Sequence, residues 1–283
     1  RSWVNTNPAK SRIKYFAPTG RVVERLQMYG IKRSNILHTG FPMAKSLIGG
    51  ADSKIIRKDM RRRLINLDPY RRFFDRYYTT LEQKFGKAFC RQEQPKSPTV
   101  AFAVGGAGAQ RALGINIAKS LKNHIIKKKI NLILVAGARR EVASYFNREL
   151  KKLKLDKHVE VLFEKERRAY FRKFDERLRD VDILWTKPSE LSFYTGLGIP
   201  IIMSPTVGSQ EDYNRLWLQQ VGGGILQHDE KHTHEWLFDW IDSGALARMA
   251  WNGFIEAPTH GIYRIEDAML GRDSELPPHP MIV

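Results

Sequence analysis

The residues of this 283-residue chain that could do chemistry fall in three short stretches. The first is TVAFAVGGAGAQRALG, residues 99–114. There an apolar, β-branched and aromatic run stops at Gly105, Gly106, Ala107, Gly108, Ala109 and Gln110, before a helix-forming segment. A chain that turns sharply from strand into helix leaves N–H groups aimed at one point with the helix dipole behind them, which suits a phosphate. The second stretch places Lys187, Ser189 and Glu190 at the carboxyl end of a strand and the start of a short helix. The third sets Gln210 and Asn214 four apart, and so on one face of one helix. Together they offer amides for a diphosphate, charge for its oxygens and hydroxyls, and polar side chains for a polyhydroxylated group.

Other phosphates fit less well. A dinucleotide site needs a third glycine and an acid at the end of the next strand for the ribose. Here Arg111 holds the third glycine position, and Gly137 and Ala138 stand where the acid belongs. Arg139 and Arg140 could suit a 2′-phosphate, but the missing glycine counts against it. Nothing matches the phosphate loop of ATP-binding proteins. His228, His232 and His234 cluster in a predicted loop without ligand spacing, so no metal site and no cofactor are expected. His38 is read as a structural residue.

The elements that must position these residues follow from the apolar pattern. Beyond Pro98, apolar runs at 99–104, 130–136, 158–163, 181–186 and 199–205 alternate with amphipathic segments. Five strands, mostly apolar on both faces, with helices between them predict an α/β domain with a doubly wound parallel sheet. Its ligand site then lies outside the carboxyl ends of the strands. Residues 210–271 read as helices. Residues 1–43 read as strand, helix and strand, the helix closed by Gly30. Such a unit cannot bury both its faces alone and is expected to be the tail end of a second α/β domain.

Residues 44–98 read as a basic, aromatic helical insertion. Asp68 and Pro69 predict a helix start and Gly86 a helix end. Tyr70, Phe73, Phe74, Tyr77, Tyr78, Leu81 and Phe85 then share one helical face. The stripe could pack on its own chain. It could also lie in a membrane interface, with Arg61, Arg62, Arg63, Arg71, Arg72 and Arg76 meeting anionic lipids. The expected division is 1–43, 44–98, 99–270 and a tail at 271–283.

Composition narrows the partners. A formal charge of +18 attracts polyanions, and 12 Lys/Arg against 4 Asp/Glu in 54–91 concentrate it. A single cysteine, Cys90, excludes a disulfide framework and fits a reducing cytoplasm. No apolar run reaches the roughly 20 residues that span a bilayer, so the chain is expected to be peripheral to a membrane's inner face at most.

On these residues the chain resembles the C-terminal, donor-binding domain of GT-B fold glycosyltransferases. It is most like the lipid II-forming peptidoglycan N-acetylglucosaminyltransferases and the monogalactosyldiacylglycerol synthases. GGAGAQ is similar to their phosphate loop, and TKPSELSFYTGLGIPII to their loop and helix ending in Gly-x-Pro before the fifth strand. QEDYN matches their Gln-x-x-x-Asn, whose ends contact the donor sugar. YFAPTGRVVERLQMYGIKRSNILHTGFP resembles the end of their N-terminal acceptor domain, most of which, with the catalytic base, is expected to precede this chain. The likeness covers residues 1–43 and 99–270.

The resemblance implies a nucleotide diphospho-sugar donor, UDP-linked, a lipid or glycan acceptor, and direct displacement without a metal. Those families carry a ribose-binding Glu seven residues before the Pro that precedes the fifth strand. Counting back from Pro200 gives Phe193, and Glu190 lies one helical turn earlier. Glu190 could take the ribose contact or be a first-turn acid favoured by the dipole. Three alternatives remain: an epimerase or hydrolase on the same fold, a nucleic-acid-binding protein explained by charge, and a membrane-docked protein without catalysis.

Overall fold

Runs of Val, Ile and Leu flanked by amphipathic helices pair most easily as parallel strands covered on both faces. The computed structural model, which describes residues 4–103, 110–206, 208–274 and 276, has that arrangement. The chain divides into two compact units: Arg57–Phe254, and Arg1–Ile56 with Ile255–Val283. Residues 44–98 are thus shared between the units, and the segment after 271 groups with the N-terminal residues.

The larger unit contains a six-stranded, all-parallel sheet built from β3 (Thr99–Ala103), β4 (Asn131–Gly137), β5 (Glu160–Phe163), β6 (Ile183–Thr186), β7 (Ile201–Met203) and β8 (Gly224–Leu226). The strand order is β5-β4-β3-β6-β7-β8. Winding outward both ways from the β3/β6 pair sends the crossover helices to opposite faces and opens a crevice where the direction reverses. The helices between and after the strands are α6 (Arg111–Ser120), α7 (Lys122–Ile126), α8 (Arg140–Lys152), α9 (Arg167–Leu178), α10 (Ser209–Gln220), α11 (Thr233–Asp242) and α12 (Ala245–Glu256). Phe102 and Trp185 meet edge to face at 6.3 Å in the sheet's core, and the Trp185 indole donates to Gln227 Oε1 at 2.9 Å.

Two expectations change. The sixth strand, β8, lies where helix was predicted. It is three residues long and follows a glycine run, so no periodicity marks it. Close packing sets it: a Cβ on Gly223 would stand 2.2 Å from Thr195 Oγ1, while the Gly223 carbonyl accepts from the Ile201 amide at 3.0 Å.

The aromatic stripe is not one helix. It splits into α4 (Arg72–Arg76) and α5 (Tyr78–Phe85) at Tyr77, behind a left-handed Arg71. The cap at Asp68 is real but reaches further than predicted: its Oδ2 accepts from the amides of Phe73 and Phe74 at 3.1 and 2.9 Å. Phe73, Phe74 and Leu81 are buried, and Phe85 packs on Trp251 and Phe254. The rings that would have entered a membrane are core, leaving Tyr70 and Tyr78 exposed.

Three of the six arginines named for lipid contact are engaged as well, while Arg72 and Arg76 stay exposed. From α3 (Lys54–Asn66), Arg61 donates to the Phe89 carbonyl and pairs with Glu93. Arg62 donates to the Arg179 carbonyl and pairs with Asp182. Arg63 is buried at 1% exposure.

In the smaller unit, β1 (Tyr15–Ala17) and β2 (Ile36–His38) pair in parallel across α1 (Gly20–Met28), the strand–helix–strand expected. Thr19 Oγ1 accepts from the Val22 amide, Val23 and Leu26 face the core, and Gly30 takes φ +85° where the helix ends. The unit also holds α2 (Lys45–Ile48) and α13 (Gly261–Met269), joined through a Pro42–His260 bridge and the Gly261 amide to the Phe41 carbonyl. Burial and the charges of Arg264 and Arg33 hold the His38 imidazole below its ordinary pKa.

Candidate functional site

The carboxyl ends of β3, β6 and β7 bring the three sequence stretches onto one end of one sheet. After β3 the phosphate-loop residues Gly105, Gly106, Ala107, Gly108 and Ala109 lie outside the described residues. Gln110 follows them at the start of α6. It neither caps the helix nor faces solvent alone: its Nε2 donates to the Pro205 carbonyl at 3.0 Å, and its Oε1 accepts from Ser204 Oγ at 3.0 Å. Gln110 therefore ties the start of α6 to the loop after β7.

After β6, Lys187 is half-buried and forms an ion pair with Glu211 in the first turn of α10. Ser189 stands at the start of the 3-10 turn Glu190–Leu197, and its side chain makes no capping bond. The side chains of Glu190 and Gln210 lie outside the described atoms. Asn214 Nδ2 donates back to the Pro188 carbonyl at 3.5 Å. Lys187 and Asn214 thus fasten α10 to the turn after β6. Thr206 adds a contact to Asp212 at 3.4 Å.

The two helix N-termini at this end differ in charge. α10 carries Glu211 and Asp212 in its first turn, which answer its dipole. α6 has no acid in its first turn and opens with Arg111, whose guanidinium lies 4.9 Å from the Tyr145 ring. An anion is favoured at α6, and neutral hydroxyls at α10.

The reading from sequence found Lys187 but not Glu211, and Gln110 but not Ser204. Glu211 has a weak signal, an acid beside Gln210 at a helix start. Ser204 has none, because only the sheet brings residue 204 to residue 110.

The end of the 3-10 turn is held from below. Arg63 donates through Nε to the Val181 carbonyl at 2.9 Å and through Nη1 to the Leu197 and Gly198 carbonyls at 2.9 and 3.2 Å. Burial, with Arg62 adding to it, pushes Arg63 down to about 10. Asp182 accepts from the Thr99 amide at 2.9 Å, from Asn66 and from Arg62. Burial raises its carboxyl against the pull of those cations.

Among the described residues no group of His, Cys, Asp and Glu could hold a metal ion, and no helix is long and apolar enough to cross a membrane.

Comparison with known proteins places these features. A processive diacylglycerol beta-glucosyltransferase of Bacillus licheniformis is 25% identical over 223 residues, covering 77% of this chain and 46% of that protein. The chain therefore spans less than half of that relative's length. Among solved structures, a UDP-GlcNAc 2-epimerase from Neisseria meningitidis, bound to UDP-GlcNAc, superposes with a TM-score of 0.53 at 14% identity, over 92% of this chain and 61% of that one. S. aureus MnaA, solved with UDP, gives a TM-score of 0.52 at 15% identity, over 93% and 62%. These likenesses show the fold: a Rossmann-like domain of the GT-B type, as the sequence resemblance implied. A family model, the domain of unknown function DUF6938, matches residues 77–177 and 154–266, and the chain belongs to that family.

Proposed function

We propose that the Arg57–Phe254 unit binds a UDP-sugar, and that the whole protein transfers its sugar to a lipid acceptor. The observation that carries this reading is the likeness, over 77% of the chain, to a diacylglycerol glucosyltransferase. The site geometry is compatible with it. In this reading the diphosphate sits on the loop Gly105–Ala109 and the N-terminus of α6, whose amides stabilise the leaving group in place of a metal. Lys187 exchanges part of its bond to Glu211 for a diphosphate oxygen. Ser189 and Glu190 meet the ribose side, and Gln210 and Asn214 the sugar hydroxyls. The acceptor hydroxyl is activated by a base outside this unit. The protein works at an anionic membrane surface, on its cytoplasmic side, through groups other than the buried aromatic rings.

A second reading is favoured by one observation. Two of the solved structures it resembles are of proteins bound to UDP-GlcNAc or UDP, and one of these is a UDP-GlcNAc 2-epimerase. An epimerase inverts the sugar on the nucleotide and needs no acceptor.

Two measurements test and separate these readings. UDP and UDP-sugars should raise the melting temperature, because a ligand held only by the folded state stabilises it by mass action. Gly106→Asp, which puts a carboxylate at the anion site, should abolish the rise. UDP-glucose and UDP-GlcNAc are then incubated with and without diacylglycerol. A glycolipid formed only with the acceptor supports transfer; a new nucleotide sugar formed without it supports epimerisation. No melting shift with any nucleotide overturns both.

A further inference from the structure

The Arg57–Phe254 unit holds a second polar cavity well away from the strand ends. Asn116, Lys119, Ser120, Asn123, His124, Lys231 and His234 line a space of about 430 Å³ between α6, α7 and α11. Ser120 is ten residues along α6 from Gln110, about 15 Å at the helical rise. A cavity of this size accepts a small organic molecule rather than a bare ion.

The lining contains two ammonium groups, two imidazoles, two amides and a hydroxyl, and no carboxylate. Its side chains are partly pre-set. Ser120 Oγ accepts from the His234 amide at 3.2 Å and lies 3.0 Å from His234 Nδ1, which holds the two side chains together. The His124 ring is wedged 4.5 Å from Phe238 and 6.5 Å from His234. Its Nδ1 is buried and meets no hydrogen-bond partner among the described residues.

The surrounding field is positive. Burial depresses the pKa of His124, and Lys129, His234 and Lys127 add to the effect. Two acids outside the lining meet lining residues from behind. Glu230 accepts from Asn116 at 3.1 Å, and Glu235 lies 3.5 Å from His234 Nε2 and 3.7 Å from His232 Nδ1. A cavity whose lining offers cations and hydrogen-bond donors and no carboxylate suits an anion that can accept several hydrogen bonds.

We propose that this cavity binds a phosphomonoester, separately from the nucleotide site. The phosphate meets Lys119, Lys231 and His124, and the organic part occupies the remaining volume beside Asn116 and Asn123.

Histidine Cε1 proton resonances test this directly. The protein is titrated with inorganic phosphate, then with glycerol phosphate, against chloride at the same ionic strength. His124 and His234 should shift saturably with both phosphates, and the His124 pKa should rise as the anion favours its charged form. Lys119→Gln and Lys231→Gln should each weaken glycerol phosphate about tenfold, with the melting temperature unchanged. Lys84→Gln, on another face, should leave binding as it is. UDP affinity should not respond to any of these variants. The proposal fails if phosphates move these signals no more than chloride does, or if Lys84→Gln weakens binding as much as Lys119→Gln. It also fails if only anionic phospholipid vesicles move them, which would make the face a lipid contact.

Discussion

The two ends of the six-stranded sheet handle polar groups in opposite ways. At the amino ends of β3, β6 and β7, Arg63 and Asp182 are buried almost completely, and each meets several partners. At the carboxyl ends, Gln110, Lys187 and Asn214 are only partly buried, and each makes one or two bonds that a ligand could replace. The difference follows from what each end must do. A buried charge is tolerable only when its hydrogen bonds are made inside the protein. A binding residue must keep part of its capacity for the ligand. The amino end acts as a clamp that holds α3 to the sheet and, through the Leu197 and Gly198 carbonyls, fixes the 3-10 turn that begins at Glu190 on the other side.

Breaking the clamp should have the largest effect. Asp182→Ala takes one acceptor each from Arg62, Asn66 and the Thr99 amide, and removes the charge facing Arg63. Unfolding in urea should show a loss of about 3–5 kcal/mol. A loss under about 1 kcal/mol would mean that the clamp does not hold the sheet.

At the opposite end the loss of stability should be smaller, and ligand binding should fall with it. Lys187→Met should cost about 1–3 kcal/mol, because it takes this partner from the mostly buried Glu211. It should weaken UDP by about 1–3 kcal/mol, the range for a charged hydrogen bond. Calorimetry with UDP and a parallel melt separate the two quantities. Unchanged affinity would make Lys187 only a fastener for α10.

The smallest effect sharpens the comparison with a second carboxylate. Asp175 on α9 is half-buried, and burial alone pushes its pKa from 3.8 up to about 6. Asp182, by contrast, has cations pulling against its burial. For Asp175 the folded state binds the proton more tightly than the unfolded chain. The linked penalty is therefore absent below pH 3.8, grows as pH rises towards 6, and is complete above it. Asp175→Asn should be more stable than the parent at pH 7 by about 1 kcal/mol after allowance for partial exposure. The difference should vanish near pH 3.5. A gap independent of pH would show that the change acts through packing instead.

The parallel sheet was legible in the sequence because most of its five predicted strands are apolar on both faces, and a sheet covered on both sides buries such runs. The placement of Gln210 and Asn214 on one helix was legible for a similar reason, since it is local. β8 was not, because three residues after a glycine run have no period to read.

Tertiary structure alone decided the rest. The aromatic stripe at 70–85 has the same spacing whether it meets lipid or protein, and only the packing of Phe73 and Phe85 on Trp251 made it core. Arg61, Arg62 and Arg63 read as a basic surface until carbonyls and acids distant in sequence reached them. Lys187 read as a free cation until α10 brought Glu211 to it. Periodicity and turn chemistry act over a few residues and are written in the sequence. A side chain's partner is set by how the elements pack, and that is settled only when the chain has folded.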